Sequence, residues 1–305
     1  MQITKEKFME HYNVSEAQMH SAKISWSELM DIAQDYEKRC REIYEPIRNE
    51  FLEQYFWNRE AETGLQSYRS RCKKAEHVLE KIIRKRNDNY LKYGGLNKDN
   101  YWKYLTDLIG VRGLLLYRED WVMFHQYILK QIQNDASKYV KNWEADYDGS
   151  KTALFMAEAP KVHIRSGDYY QIYEDWFPMH CILDQKHYRS IHYIINYKGV
   201  YIEIQIRTLL EEGWGEIDHD IIYPRERNNA MLEEFSELLN RLVGMGDEMG
   251  AYYRRLQKVP KEEFKGKERM VEKPKNSFLH SAHHSRTEET VIVTYQDAID
   301  WVIRE

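Results

Sequence analysis

The chain has 305 residues, 42% of them hydrophobic and 31% charged, with a net charge of -5. That balance describes a folded, soluble chain of about one or two domains and excludes an intrinsically disordered one. It also excludes a surface that is basic throughout and binds nucleic acid over its whole extent, although a local basic groove is compatible with it.

In chain order, residues 1–25 read as a polar lead-in with one helical turn or two. From Trp26 the apolar residues Leu29, Ile32, Tyr36, Cys40, Ile43 and Ile47 recur at threes and fours, which predicts an amphipathic helix that Pro46 kinks or interrupts. Residues 1–60 thus form an N-terminal helical region that packs on a core. Leu65 to Lys73 reads as extended chain, followed by a helix from Ala75 to Arg86 whose entry carries Arg69, Arg71, Lys73 and Lys74. Tyr101 to Ile109 predicts a short helix, Val111 to Tyr117 an apolar strand holding Arg112, and Asp120 to Gln133 a covering helix. Residues 134–187 carry no strong pattern beyond short strands at Lys161–Arg165 and Tyr169–Tyr173, with a Gly167-Asp168 turn. The stretch is long for a connection, as a lid or insertion is. Past the core at 61–225, a long helix fills 226–257, weakened by Gly244, Gly246 and Gly250. The last segment, 258–305, is a basic tether (its excess beginning at Arg254 and running to Lys275) with a terminal strand and helix at Glu289–Tyr295 and Gln296–Arg304.

Cys40, Cys72 and Cys181 lie far apart without ligand spacing and read as reduced cytosolic thiols. No apolar run reaches membrane-spanning length, and the N-terminus lacks a signal-type apolar core. The expectation is a cytoplasmic protein without a membrane partner.

Tyr188 to His219 is the most informative stretch. From Val200, residues 200, 202, 204 and 206 are Val or Ile, while Tyr201, Glu203, Gln205 and Arg207 alternate with them. A period of two predicts a half-buried strand. Ser190 to Tyr197 has strand composition, and Lys198-Gly199 between the two runs predicts a tight hairpin. If Tyr197 pairs with Val200, then Ile194 faces Glu203, His192 faces Gln205 and Ser190 faces Arg207. One face then gathers Tyr188, Ser190, His192, Glu203, Gln205 and Arg207. Such a face is either a site or the solvated outer side of an antiparallel sheet. Thr208 is placed to cap the next helix, with Glu211 and Glu212 near its start.

Glu203 on that face and Asp107, just before the strand carrying Arg112, form a carboxylate pair able to hold one divalent cation, which in the case of magnesium also takes waters and substrate phosphates. Arg69, Arg71, Lys73 and Lys81 are a basic cluster able to meet those phosphates. The combination points to phosphoryl or pyrophosphoryl transfer. A lone Asp there is also an ordinary cap, and a basic helix entry an ordinary solvated face. No Walker A, GxGxxG or kinase HRD or DFG motif is present. His280, His283 and His284 lack a Cys or acidic partner at ligand spacing and read as a loop. Trp214 reads as a packing anchor.

Four ordered segments, SRCKKAEHVLEK, DLIGVRG, YRSIH and EIQIRT, resemble the synthetase domain of the RelA/SpoT family, and Trp214 followed by Asp218-His219 resembles its compact members. The motifs span about residues 65 to 223. The resemblance implies an α+β fold, a small mixed sheet of nucleotidyltransferase-like type flanked by helices. It implies transfer of pyrophosphate from ATP to the 3′-hydroxyl of GDP or GTP, giving (p)ppGpp and AMP. Arg71, Lys73 and Lys81 match positions that hold the ATP phosphates. Asp107 and Glu203 match the magnesium carboxylates, Glu203 also being the base that activates the hydroxyl. Tyr188 matches the tyrosine that stacks on the acceptor base. Arg112, His192, Gln205, Arg207 and His219 match positions lining the acceptor and phosphate pocket.

Departures fall on the acceptor side. His187 stands where the family has Gly, the approach reads LDQKH instead of a Lys-rich run, and Tyr223-Pro224 replaces Tyr-Lys. No HD-type metal motif is visible and residues 1–60 are short for a hydrolase half, so no alarmone hydrolysis is expected. Two further readings stand beside the alarmone synthetase. One is a toxin-like relative that modifies the tRNA 3′-CCA end or an adenosine nucleotide and would have an antitoxin partner. The other is an inactive nucleotide-sensing or partner-binding domain. A homo-oligomer is compatible with any of them.

Overall fold

Hydrophobic periodicity and local capping account for most of the architecture. The computed structural model describes residues 3–133, 154–185, 187–221 and 229–258, all within the unit Met1–Lys258. The tether and terminal elements expected beyond 258, the His280–His284 cluster and Tyr223-Pro224 lie outside the described residues.

The polar lead-in is more ordered than its composition suggested. It holds α1 (Lys5–Tyr12) and α2 (Glu16–Ala22), capped by Thr4 and by a Ser15–Gln18 capping box, and a second box at Ser25–Glu28 starts α3 (Trp26–Arg39). Phe8, Tyr12, Met19 and Ala22 are buried. The apolar run continues through a π-helical turn, Cys40–Tyr44, into α4 (Glu45–Tyr55). Pro46 sits in the first turn of α4, where its missing N–H costs nothing, so the π turn absorbs the interruption that Pro46 predicted. After α5 (Glu60–Thr63) come β1 (Leu65–Cys72), α6 (Ala75–Asp88), α7 (Tyr90–Tyr93) and α8 (Tyr101–Tyr104). The buried Arg86 guanidinium on α6 donates to the carbonyls of Ala22, Lys23, Gly94 and Leu96 and ties α2 to the loop before α8.

The predicted helix at Tyr101–Ile109 ends at Tyr104, because Ile109 opens β2 (Ile109–Leu115). Then follow α9 (Trp121–Gln131), β3 (Leu154–Met156), β4 (Lys161–Arg165) and β5 (Ile182–Gln185). Tyr169–Tyr173 is not a strand. It ends in a 3-10 turn, Gln171–Tyr173, whose Tyr173 packs on Trp121 at 4.9 Å between ring centroids. β6 (Ser190–Tyr197), β7 (Val200–Thr208), α10 (Leu209–Ile221) and α11 (Ala230–Lys258) complete the fold. Arg254 to Lys258 continue α11 rather than starting a tether.

The seven strands form one mixed sheet in the order β1-β2-β7-β6-β4-β5, with β3 also on β6. β2 and β7 run parallel and β6–β7 is the hairpin, with Tyr197 on Val200, Ile194 on Glu203 and His192 on Gln205. Lys198 and Gly199 both have positive φ, 52° and 74°, as a two-residue type I′ turn requires. The Lys198 ammonium pairs with Glu50 on α4, which holds the non-glycine residue in that conformation. Ile109, Val111, Ile202, Ile204 and Ile206 are buried in one core with residues of α1–α4, α6 and α9. The apolar sheet face is therefore sealed by helices, and the polar face is left to build a site.

Candidate active site

Register alone assembles the polar face. Arg71 on β1 pairs with Gly110 on β2, Gly110 with Glu203 on β7, and Glu203 with Ile194 on β6. Two residues along, Arg69 pairs with Arg112, Arg112 with Gln205, Gln205 with His192, and His192 with Lys161. A cavity of about 300 Å³ opens over these rows, lined by Arg69, Arg71, Lys73, Asp107, Arg112, Glu203, Gln205 and Glu216 among others.

Asp107 lies in the turn before β2, against the N-terminal half of α6. Its Oδ2 is 2.6 Å from both Lys73 Nζ and Lys81 Nζ. Burial opposes ionisation of the carboxyl, but the two ammonium groups outweigh it and lower its pKa to about 2. Oδ1 is buried without a hydrogen-bond partner. Glu203 is shifted in the opposite sense. Burial raises its pKa, the Asp107 charge raises it further, and Lys81, Lys73 and a 2.9 Å hydrogen bond from Gln205 Nε2 offset only part of this. Two carboxylates thus face one cavity, one firmly ionised and one poised to take a proton.

The unmatched Asp107 Oδ1 and the Glu203 carboxylate are hard oxygen donors suited to a small divalent cation. Among the described residues no group of three or more His, Cys, Asp or Glu side chains is placed to hold a metal. A cation here would complete its shell with water and substrate oxygens, as magnesium commonly does.

The far end of the row is a closed network. Burial, with His163 and Arg207 nearby, lowers the His192 pKa to about 3, so the ring is neutral. Its Nε2 is 2.8 Å from the Tyr188 hydroxyl and its Nδ1 3.6 Å from Glu203 Oε1. A tautomer protonated on Nδ1 satisfies both contacts. Arg207 donates to Gln205 Oε1 at 3.2 Å, and its Nε is 2.9 Å from Glu212 Oε2. Arg112 is held by Glu212 at 2.9 Å and by Glu216.

Of the residues singled out in the sequence, Arg71, Lys73, Asp107, Arg112, Glu203 and Gln205 line the cavity. Lys81 joins it through Asp107. Tyr188, His192 and Arg207 adjoin it behind Glu203 and Gln205 and do not line it. Tyr188 is half-buried beneath the Arg207 guanidinium, which lies 5.9 Å from its ring centroid. His219, exposed on α10, adds to the field at Glu216 on the same helix and at His77 on α6. Sequence reasoning missed Glu212, Glu216 and His77. The signal for the first two is their spacing of four on the helix that directly follows β7, which sets both on one side of α10 facing back over the sheet. His77 lies one turn past Lys73 on α6. Burial and then Lys73 and Arg71 lower its pKa to about 4. Thr208 does cap α10, accepting from Glu211 N at 3.1 Å, and Trp214 does anchor α10 on α11 by donating to the Ser236 carbonyl.

Among the described residues no helix is long and apolar enough to cross a membrane. No curated protein matches the chain in sequence. Among solved structures it is similar to the small alarmone synthetase 1 from Bacillus subtilis, with 16% identity, a TM-score of 0.46, and 74% of this chain and 95% of that one covered. It is also similar to a GTP pyrophosphokinase family protein from Streptococcus pneumoniae, with 19% identity, a TM-score of 0.40, and 77% and 96% covered. The small alarmone synthetase 2 from Bacillus subtilis is a third, with 18% identity, a TM-score of 0.42, and 74% and 97% covered. The family model described as "Region found in RelA / SpoT proteins" matches residues 70–228, which contain Arg71, Lys73, Lys81, Asp107 and Glu203. The chain belongs to the RelA/SpoT family.

Proposed function

We propose that the chain is a magnesium-dependent pyrophosphokinase that moves the β,γ-pyrophosphate of ATP to the 3′-hydroxyl of GDP or GTP and so makes (p)ppGpp. The observation that carries this reading is the pair Asp107 and Glu203, oppositely shifted across one cavity rimmed by Arg69, Arg71 and Lys73, in a chain of this family.

In this reading Arg71, Lys73 and Arg69 take the ATP phosphates, whose charge the open side of the cavity is built to accept. Lys81 keeps Asp107 ionised. Asp107 Oδ1 and Glu203 are the residues that would hold magnesium, which when bound neutralises charge on the transferring phosphates. The acceptor 3′-hydroxyl loses its proton to Glu203, whose raised pKa suits a base working near neutral pH. The hydroxyl oxygen forms a bond to Pβ of ATP as the bond from Pβ to the α–β bridging oxygen breaks, and AMP leaves. Tyr188, backed by His192 and Arg207, supplies a flat surface for the guanine base.

The test is incubation with γ-labelled ATP, magnesium and, separately, GDP, GTP, AMP, ATP and bulk tRNA. Label is expected in the GDP and GTP reactions. Label only in tRNA or in an adenosine nucleotide would replace the guanosine acceptor, and label in none of them with a folded protein would favour a binding module.

A further inference from the structure

The helix α11 is turned inside out relative to an ordinary surface helix. Its contacts with the core are small and polar. Asn240 and Asp247 are buried, Asn240 donating to the His187 carbonyl and Asp247 accepting from Thr208 and Arg189. Gly244 lies where a Cβ would meet the Arg165 guanidinium at 2.0 Å, so any larger residue there would have to push that side chain aside. The apolar stripe lies on the other side. Beginning at Met231 it runs through Phe235, Leu238, Leu242, Met245, Met249 and Tyr252, and each of these is between 46% and 65% exposed. Their spacing alternates four and three through the whole series, the a/d pattern of a coiled-coil seam, and a globular surface gives no reason for it.

The charges beside the seam select the occupant. The positions preceding Phe235, Leu242, Met249 and Leu256 are Glu234, Arg241, Glu248 and Arg255. The positions following the other seam residues are Leu232, Leu239, Gly246 and Tyr253, without charge. In a parallel pair the first set would face the second, and no charge would find a partner. In an antiparallel pair the first set faces itself. With Leu242 layered on the partner's Met245, Glu234 meets the partner's Arg255 and Arg241 meets the partner's Glu248, and two-fold symmetry repeats both. A slip of one heptad either way sets Glu against Glu and Arg against Arg. Three of these side chains also reach intramolecular partners: Arg241 to Glu237 and Arg255 to Glu119 on the surface, where ion pairs exchange at little cost, and Glu248 to the mostly buried Arg165 at 4.0 Å.

We infer that the exposed seam of α11 binds the same seam of a second copy of this chain, antiparallel and in this one register. The site over the β-sheet polar face is not involved, so the inference does not depend on the proposed reaction.

Sedimentation of the full chain is the test. The wild type is expected to run as a dimer or a multiple of it, and the double substitution Leu242→Glu with Met245→Glu at half that mass. Both residues are more than half exposed, so an unchanged circular dichroism spectrum is expected to show that the variant still folds. Arg241→Glu is expected to weaken association about tenfold or more by facing Glu248. Arg241→Glu combined with Glu248→Arg is expected to restore it. A monomeric wild type, or an assembly whose mass survives the double substitution, would overturn the interface. Failure of the charge swap to restore association would overturn the antiparallel register.

Discussion

At the β1–α6 end of the cavity Arg71 faces open space, and at the β6–β7–α10 end Tyr188, Arg207 and Arg112 are already held by protein partners. Arg71 and Arg69 project from β1 into the cavity, both exposed; Asp107 nearby is committed to Lys73 and Lys81, and Arg69 reaches Glu212 only at 3.8 Å. At the other end Tyr188 is bound to His192, Arg207 to Gln205 and Glu212, and Arg112 to Glu212 and Glu216. A trianionic or tetraanionic phosphate chain would reach exposed Arg71 at the first end without displacing a close ion pair, and would share Lys73 with Asp107. A ligand at the second end must displace Glu216 or Glu212 from Arg112 before its own phosphates can use that guanidinium. In the proposed reaction the first end would be a preformed donor side, and the second an acceptor side that its substrate has to open.

The largest expected effect comes where the two ends meet. Glu203→Gln keeps the shape and the Gln205 contact but removes the base, and turnover is expected to fall about a hundredfold to ten-thousandfold with ATP binding retained, measured as initial rate alongside nucleotide titration. Next, Arg71→Ala is expected to raise the ATP KM about tenfold and leave the KM for the guanosine nucleotide unchanged, because it acts only at the preformed end. Glu216→Gln tests the closed end. Releasing Arg112 from its exposed partner is expected to lower the acceptor KM about threefold without moving the ATP KM, and an unchanged acceptor KM would remove the gating role from that pair.

A separate effect is on stability. His192 is neutral in the folded state with a pKa near 3, below the ordinary histidine value, so its folded-state advantage is complete above about pH 6.5 and is lost as pH falls toward 3. Urea unfolding at pH 7.5 and at pH 5 is expected to show a loss about 2 kcal/mol larger in the wild type than in His192→Gln. Equal losses would mean that the buried ring is not what resists protonation.

The polar face was legible because a strand has a period of two and a two-residue turn allows one register. Once Tyr197 faced Val200, His192 had to face Gln205 and Ile194 had to face Glu203. The basic entry to α6 was legible as a cluster, and Asp107 as an isolated acid before a strand. What the sequence did not reveal depends on distance across the fold. Nothing local shows that Lys73 and Lys81, eight positions apart on and before α6, converge on one carboxylate oxygen. Nor does it show that Glu212 and Glu216 fold back from α10 onto Arg112. The N-terminal helices were hidden for a different reason. Their apolar residues are few and widely spaced, and the Thr4, Ser15 and Ser25 caps that start them are single side chains in a polar background. The reversed amphipathicity of α11 was also invisible, because periodicity gives the stripe but not which side meets the core.

The central claim is that ATP gives up its β- and γ-phosphates as one unit to a guanosine 3′-hydroxyl. Phosphorus NMR of the wild type with ATP, magnesium and GDP tests it directly. The account predicts AMP and a 3′-diphosphate product rising in equal amounts. ADP in place of AMP, or AMP with free pyrophosphate and no modified guanosine nucleotide, would contradict it.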